Sequence, residues 1–573
     1  MAAAPRKVTH VLLAVVIAAA MAVPSMLGAQ RGALVSCDGQ PIREVEVVTR
    51  PPYTQSSERF WIAPIRFLNS IHVTTKPSVI RRYLLLQRGD ACTERRRSES
   101  ERLLRAQPYI ARASIRSVDA GDGGVILLVE TTDELTPVID GSVKSESPYV
   151  TAVRIGEGNL LGSGTYVAAE WGSNEIRDTY GARLVDYQAF GKPWIMDLSA
   201  VRRDAGRSSW RVLLEHPFYT DEQRVAWRAS ALESNRLFTF YRGTEEPVLL
   251  GLEREFFDIG GILRIGEPGR LSLFGVSFSR ETDATRVPPV PDDTVDYDAL
   301  LARFDRRENG RVNALWGLRN IYYRRVSSFD ALTATQDVPL GFQLGTLVGR
   351  GLSVFGASDD DLLVAADVYG ALGNSWLMAA ARLRGEARNN YDADRWDGIV
   401  TSSRLDAYWR ATGHHTVQAT FDWSGSWRQR VPLQLTLGDR YGGVRGYVRS
   451  RDAGAQRTVL RLEDRWYLGQ VRGQADIGLA FFADAGRLRA GDAPFGTSTP
   501  VRVGVGIGFL AAVPPGSRRT LRMDIAYPVS NDPHAGWEIR LGVVNVARTR
   551  WREPDDVRLG RESSVPTNMF GRP

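Results

Sequence analysis

From about Pro137 onward the apolar positions of this chain recur at every second residue. Val417, Ala419, Phe421 and Trp423 alternate with Thr416, Gln418, Thr420 and Asp422, and the same pattern returns around Val501, Val503, Val505, Ile507 and Phe509, around Leu521, Met523, Ile525 and Tyr527, and around Trp537, Ile539 and Leu541. A period of two predicts β-strands with unlike faces. A soluble sandwich also alternates, so the period alone leaves two architectures open. Charge separates them. Arg502, Arg522, Asp524, Glu538 and Arg540 stand opposite continuous apolar stripes, in runs of about nine to eleven residues, a length that crosses a hydrocarbon layer when tilted. The apolar face would meet lipid and the charged face a wet lumen, with closure satisfying the backbone groups that lipid cannot. Residues 137–550 are therefore expected to form a transmembrane antiparallel β-barrel of about sixteen strands, short turns alternating with long loops. Residues 288–293, rich in proline, read as loop, and the charged tail 551–573 is expected to be disordered.

Upstream the periodicity differs. Residues 37–133 predict a small α+β domain of order β-α-α-β-β: a strand at 45–48, helices at 79–86 and 93–106, and strands at 113–118 and 125–130 joined by a glycine-rich turn. Pro77 suits a first helical turn, and Thr93 is a candidate N-cap beside the basic cluster Arg95, Arg96 and Arg97. Before this domain, Arg6 and Lys7, an apolar run at 11–23 and the small residues Gly28 and Ala29 follow the order of a secretory signal peptide, placed at 1–29. Export puts Cys37 and Cys92 in an oxidising compartment, so a disulfide stapling the small domain is favoured over a redox site, there being no Cys-x-x-Cys spacing.

Composition narrows the function. With 73 Lys and Arg against 66 Asp and Glu, the net charge of +7 is small for the length and does not suit a nucleic-acid binder. A hydrophobic content of 43% with 24% charged residues excludes a disordered chain and a polytopic helical membrane protein. No catalytic grouping is readable: His72, His216, His414, His415 and His534 are scattered without a nucleophile at a recognisable spacing, and His414 and His415 fall at a hairpin turn. Gly504, Gly506 and Gly508 mimic a dinucleotide fingerprint, but no helix follows them, and small lumen-facing residues explain them better. We expect no enzyme activity, no cofactor and no metal.

Three local sequences carry a resemblance. Gly158-Asn159-Leu160-Leu161-Gly162-Ser163-Gly164 is similar to an Asn-Leu-x-Gly-x-Gly turn, Gly442-Gly443-Val444-Arg445-Gly446-Tyr447 to a Val-Arg-Gly-Phe/Tyr loop tip, and Phe481-Phe482-Ala483-Asp484-Ala485-Gly486 to a Phe-x-Asp-x-Gly strand. In this order, after a signal peptide and a β-α-α-β-β unit, the set resembles the outer-membrane assembly and two-partner-secretion superfamily (BamA/TamA-like), whose periplasmic modules are POTRA domains. The resemblance implies a lumen-plugging loop whose arginine, Arg445, faces Asp484, with Glu463 where the family carries a second acidic partner. It also implies that unfolded outer-membrane or secreted proteins, the lipid bilayer and periplasmic chaperones or accessory proteins are partners, and that the chain lies in the outer membrane of a diderm bacterium with its POTRA domain in the periplasm. Family barrels end on a terminal aromatic residue, whereas here a charged tail follows the last predicted strand.

The residues give the resemblance a physical content. Strand phase leaves Arg461, Glu463 and Arg465 on the inward face of one strand and Asp476 and Asp484 on that of the next. The planar fork of Arg445 suits a carboxylate, and Gly443 and Gly446 allow a tight turn beside the wall. The expected loop lock is thus Arg445, Gly443, Gly446, Tyr447, Glu463, Asp484 and Gly486. The expected function is insertion or translocation of other proteins, with an exposed strand edge at 125–130 or 45–48 offered to an unfolded client. The alternatives are a passive or substrate-specific channel, an exposed arginine in a surface hairpin, and a structural surface antigen.

Overall fold

The computed structural model describes residues 33–53, 67, 69–143, 150–174, 177–203, 207–289, 291–530, 532, 535–545 and 552–561. The expected signal peptide lies outside them. The small domain is a four-stranded sheet of β1 (Asp38–Arg50), β2 (Ala91–Thr93), β3 (Ile110–Asp119) and β4 (Val125–Asp133) in the order β2-β1-β4-β3. β1 runs parallel to β4, and β3 and β4 form an antiparallel hairpin. Gly121 and Gly123, in the left-handed region at φ 83° and 79°, turn that hairpin. Helices α1 (Pro77–Arg81) and α2 (Glu94–Ala106) cover one face, burying Val79, Ile80, Leu103 and Leu104 against Ile42, Ile115, Leu127 and Val129. Cys37 and Cys92 are bonded, tying the start of β1 to β2 across 55 residues.

Two expectations change here. The helix expected at 79–86 ends at Arg81, and the chain tightens into i→i−3 turns in which Tyr83 and Leu84 donate to Ile80 and Arg81. The strand 125–130 is not an edge: as part of β4 it pairs with β1 on one side and β3 on the other. The sheet ends instead on β3 and on β1, and among the described residues no strand flanks the second half of β1, because β2 reaches only Asp38 to Pro41.

From Pro137 to Asn545 twenty antiparallel strands close into one barrel, the last (Glu538–Asn545) lying beside the first (Pro137–Val143). The expected count was about sixteen. Two features explain the difference. Turns of two residues join paired strands at both ends of the barrel, as between Arg242 and Glu245, Glu267 and Arg270, and Thr412 and His415, so chain that long loops would have taken goes into further strands. Strand length also varies more than a uniform span allows, from 7 residues in Pro137–Val143 to 23 in Glu245–Glu267. Ile259, Leu263, Phe274, Val276, Leu405, Trp409, Phe421, Leu460, Phe481, Leu521 and Leu541 face outward and are exposed. So continuous an apolar belt on a closed barrel is a lipid-facing surface. The inner face carries charge instead, with buried pairs such as Arg311–Asp361 at 2.6 Å and Arg228–Asp258 at 2.7 Å.

The small domain caps one mouth of this barrel. Arg105 donates to both oxygens of Asp337 at 2.8 Å, Arg96 reaches Glu222 at 3.0 Å, and Arg325 of the barrel reaches Glu101 of α2 at 2.6 Å. Arg518 donates to the carbonyls of Gln107 and Ile110 at 2.6 and 2.7 Å. Nearby, burial pushes the Glu134 carboxyl above its ordinary value, opposed by the Ser517 hydroxyl and the Arg518 charge. The turn at 158–164 completes the joint. Asn159 donates to the Thr75 hydroxyl at 2.8 Å and accepts from the Gly164 amide at 2.7 Å, while Thr75 donates to Asp133 through its amide and hydroxyl at 2.7 and 2.8 Å. Every group in that chain is buried, so Asn159→Ala leaves the Gly164 amide without its acceptor and the Thr75 hydroxyl without its donor, and is expected to weaken the joint by about 1–3 kcal/mol. Amide exchange around Thr75 and Gly164 measures it, with unchanged protection counting against the network.

Candidate functional site

Between the strands His415–Trp427 and Gln456–Val471 the chain does not turn back at the rim. Residues 428–455 fold into the barrel, pinned by a short pairing of Leu435–Thr436 with Ala453–Gly454. At the tip, Val444 and Tyr447 are buried with Leu437, Val459 and Leu488. The tip sequence fits its place. Gly446 adopts φ 93° and leaves its amide free to donate to Glu538 at 2.8 Å. A Cβ on Gly443 would stand 2.1 Å from the Leu437 carbonyl, and one on Gly486 would stand 2.4 Å from a Val444 methyl.

Arg445 is the centre of the arrangement. Its Nε and Nη2 donate to the two oxygens of Asp484 at 2.7 Å each, and its backbone amide adds a third bond at 3.1 Å. Nη1 lies 3.2 Å from Glu463 and 3.4 Å from Asp524, and the guanidinium carbon sits 3.4 Å from the centroid of the Phe482 ring. Glu463 is shared: Arg522 donates to both its oxygens at 2.8 and 2.7 Å, and Arg465 to one at 2.6 Å. The carboxylates come from the strands Gln456–Val471, Ala475–Arg489 and Arg519–Pro528, each delivered inward by the alternation of its strand. Tyr447 places its hydroxyl 3.1 Å from the Val503 carbonyl and 3.0 Å from that of Ser530.

The inward glycines of Arg502–Ala512 belong to the same site. A Cβ on Gly504 would stand 2.0 Å from the Arg445 carbonyl, and one on Gly508 would stand 2.5 Å from an Asp524 oxygen. The loop tip therefore lies directly on a stretch of strand, Gly504 to Gly508, whose inward positions are all glycine. In all, the tip engages the last five strands of the barrel and so reaches the strand that closes it. A fully buried cluster of this kind is held by its complete set of hydrogen bonds, and removal of one member leaves an uncompensated charge.

Arg445, Gly443, Gly446, Tyr447, Glu463, Asp484 and Gly486 thus meet at one place. Sequence reasoning did not include Asp524, Arg522, Arg465, Phe482 or Glu538 in the site, although strand phase had already put Arg522, Asp524 and Glu538 on the inner face. His415 pairs with Asp464, and His414 stacks on Tyr467 at 5.4 Å, both beside a hairpin turn.

No family model matches the chain, and no curated protein does. Among solved structures it is similar to the crystal structure of BamA from Haemophilus ducreyi lacking POTRA domains 1-3, with 14% identity over 88% of this chain and 84% of that one at a TM-score of 0.37. It is similar to CdiB from Acinetobacter baumannii, with 11% identity over 88% and 74% at a TM-score of 0.40. It is also similar to CdiB from Escherichia coli, with 11% identity over 91% of each chain at a TM-score of 0.30. Likenesses at these scores assign no role to any residue.

Proposed function

We propose that the protein is an outer-membrane barrel that inserts or translocates other proteins, working without cofactor or enzymatic chemistry, with its small domain on the periplasmic side as a POTRA-like module. The observation that carries this reading is the loop fixed by Arg445 across the last five strands up to Glu538. A loop so placed both fills the lumen and touches the closing strand, so its release would loosen plug and seam together. The open second half of β1 adds a place where an extended client can pair by β-augmentation. Folding of the client then supplies the driving free energy.

A passive or substrate-specific channel, or a structural antigen, would have no use for a buried ion cluster joining a loop tip to the closing strand. Depletion of the protein in its host, followed by quantification of outer-membrane and secreted proteins, separates the readings. Loss of several barrels supports insertion, and loss of one secreted protein supports secretion. Unchanged proteomes with reduced uptake of small solutes would replace the proposal by the channel.

A further inference from the structure

The tail after the last strand was expected to be disordered, yet residues 552–561 are seated inside the barrel. They include the short helix Asp555–Gly560, and they engage both the wall and the folded-in loop. Low hydrophobicity had hidden this, because the order comes from ion pairs with groups that only the closed barrel assembles. Arg561 occupies a polar pocket of the wall. Its Nη1 donates to Glu386 and to the Val400 carbonyl at 3.1 Å each, and Nη2 donates to the Ser402 hydroxyl at 3.0 Å. Glu553, from the start of the same segment, closes the pocket, accepting from Arg561 at 2.8 and 2.7 Å and from Ser402 at 2.6 Å. Arg561 is 6% exposed and Glu386 is 3%.

Between these anchors the segment holds the loop. Val557 packs on Val400, Leu433 and Leu435, and Asp556 accepts from Arg457 at 3.0 Å and from the Thr436 amide at 3.2 Å. Arg552 donates to the Tyr441 hydroxyl at 2.9 Å. A Cβ on Gly442 would stand 2.6 Å from the Pro554 ring, and one on Gly560 would stand 2.8 Å from Leu433, so the close fit extends along the segment. Leu433, Thr436, Tyr441 and Gly442 all belong to the loop that carries Arg445.

We propose that the barrel lumen contains a peptide-binding site, built for a short segment bearing an arginine, an acidic residue and an aliphatic side chain. In the resting protein its occupant is the chain's own residues 552–561, which hold the Arg445 loop down until they leave. The site offers a carboxylate, a hydroxyl and a carbonyl to one guanidinium, a second arginine to a carboxylate, and an aliphatic floor between them, all desolvated together. This concerns the occupancy of the lumen and stands whether or not the protein handles clients.

The test uses the full-length protein in planar bilayers, compared with a chain truncated after residue 551 and with Arg561→Ala. Both changes are expected to give a several-fold rise in conductance and frequent openings. A synthetic peptide of residues 552–561 is expected to restore the closed state of the truncated protein, and the same peptide with Arg561→Ala to fail. Unchanged conductance, or closure by both peptides alike, overturns the proposal. To guard against misassembly of the truncated chain, Leu433→Cys with Gly560→Cys in the otherwise intact protein is expected to cross-link in the membrane, and absence of the cross-link counts equally against it. Failure of the client assay with these results intact would leave this site standing and remove only the transport function.

Discussion

Arg445→Ala is expected to free the loop tip and to lower the stability of the loop-in state by about 3–5 kcal/mol, the cost typical of removing one partner from a buried ion cluster. The reason lies with Asp484, which is 0% exposed. Among the described residues, its side chain receives its three hydrogen bonds from Arg445. Glu463 is less affected, since Arg522 and Arg465 remain on it. Limited proteolysis of residues 428–455 and bilayer conductance are the measurements, and both are expected to rise sharply. Arg445→Lys keeps the charge but not the fork and is expected to fall between the two. Arg445→Ala combined with Asp484→Ala is expected to cost less than the sum of the single changes, because no lone carboxylate is left behind. Wild-type protection in the single alanine variant would remove the cluster from any account of the loop.

The second large effect is expected in the small domain. Replacing Cys37 and Cys92 by serine opens a loop of 55 residues, for which chain-entropy reasoning gives a loss of about 4 kcal/mol. Amides of β1 and β2 that exchange only through opening of this domain are then expected to lose about three decades of protection, since each decade corresponds to about 1.4 kcal/mol. Barrel amides serve as the internal reference and are expected to stay put. Equal protection in the oxidised and serine forms would mean that the domain is held by its mouth contacts alone.

How much of this was readable beforehand depended on whether the information was local. The alternation around Val417, Leu460 and Phe481 decided which side chains face lipid and which face the lumen, because a period of two is written residue by residue. The pairing of Arg445 with Asp484 and Glu463 followed from that phase together with a recognisable loop tip. The approach of Asp524 and Glu538 did not follow, since it depends on how far the loop travels along the wall, a matter of register between strands distant in sequence. Strand number failed for a related reason: a two-residue turn such as Gly243-Thr244 hides within an alternating run. Placing β4 at an edge failed because the parallel pairing of β1 with β4 joins segments more than eighty positions apart and leaves no local mark. The seated tail was the least visible, its partners being scattered from Arg254 to Arg457.

The short link between the two domains has a mechanical consequence. β4 ends at Asp133 and the first barrel strand begins at Pro137. Glu134, Leu135 and Thr136 between them are buried, with Glu134 bonded to Ser517 and Arg518. No slack exists there to absorb a rotation. Any torque applied to the sheet, for example by a load dragging on the free side of β1, passes through its parallel neighbour directly into the staves that form the vertical join of the cylinder. The small domain is thus joined rigidly to the strands at that join rather than tethered to them.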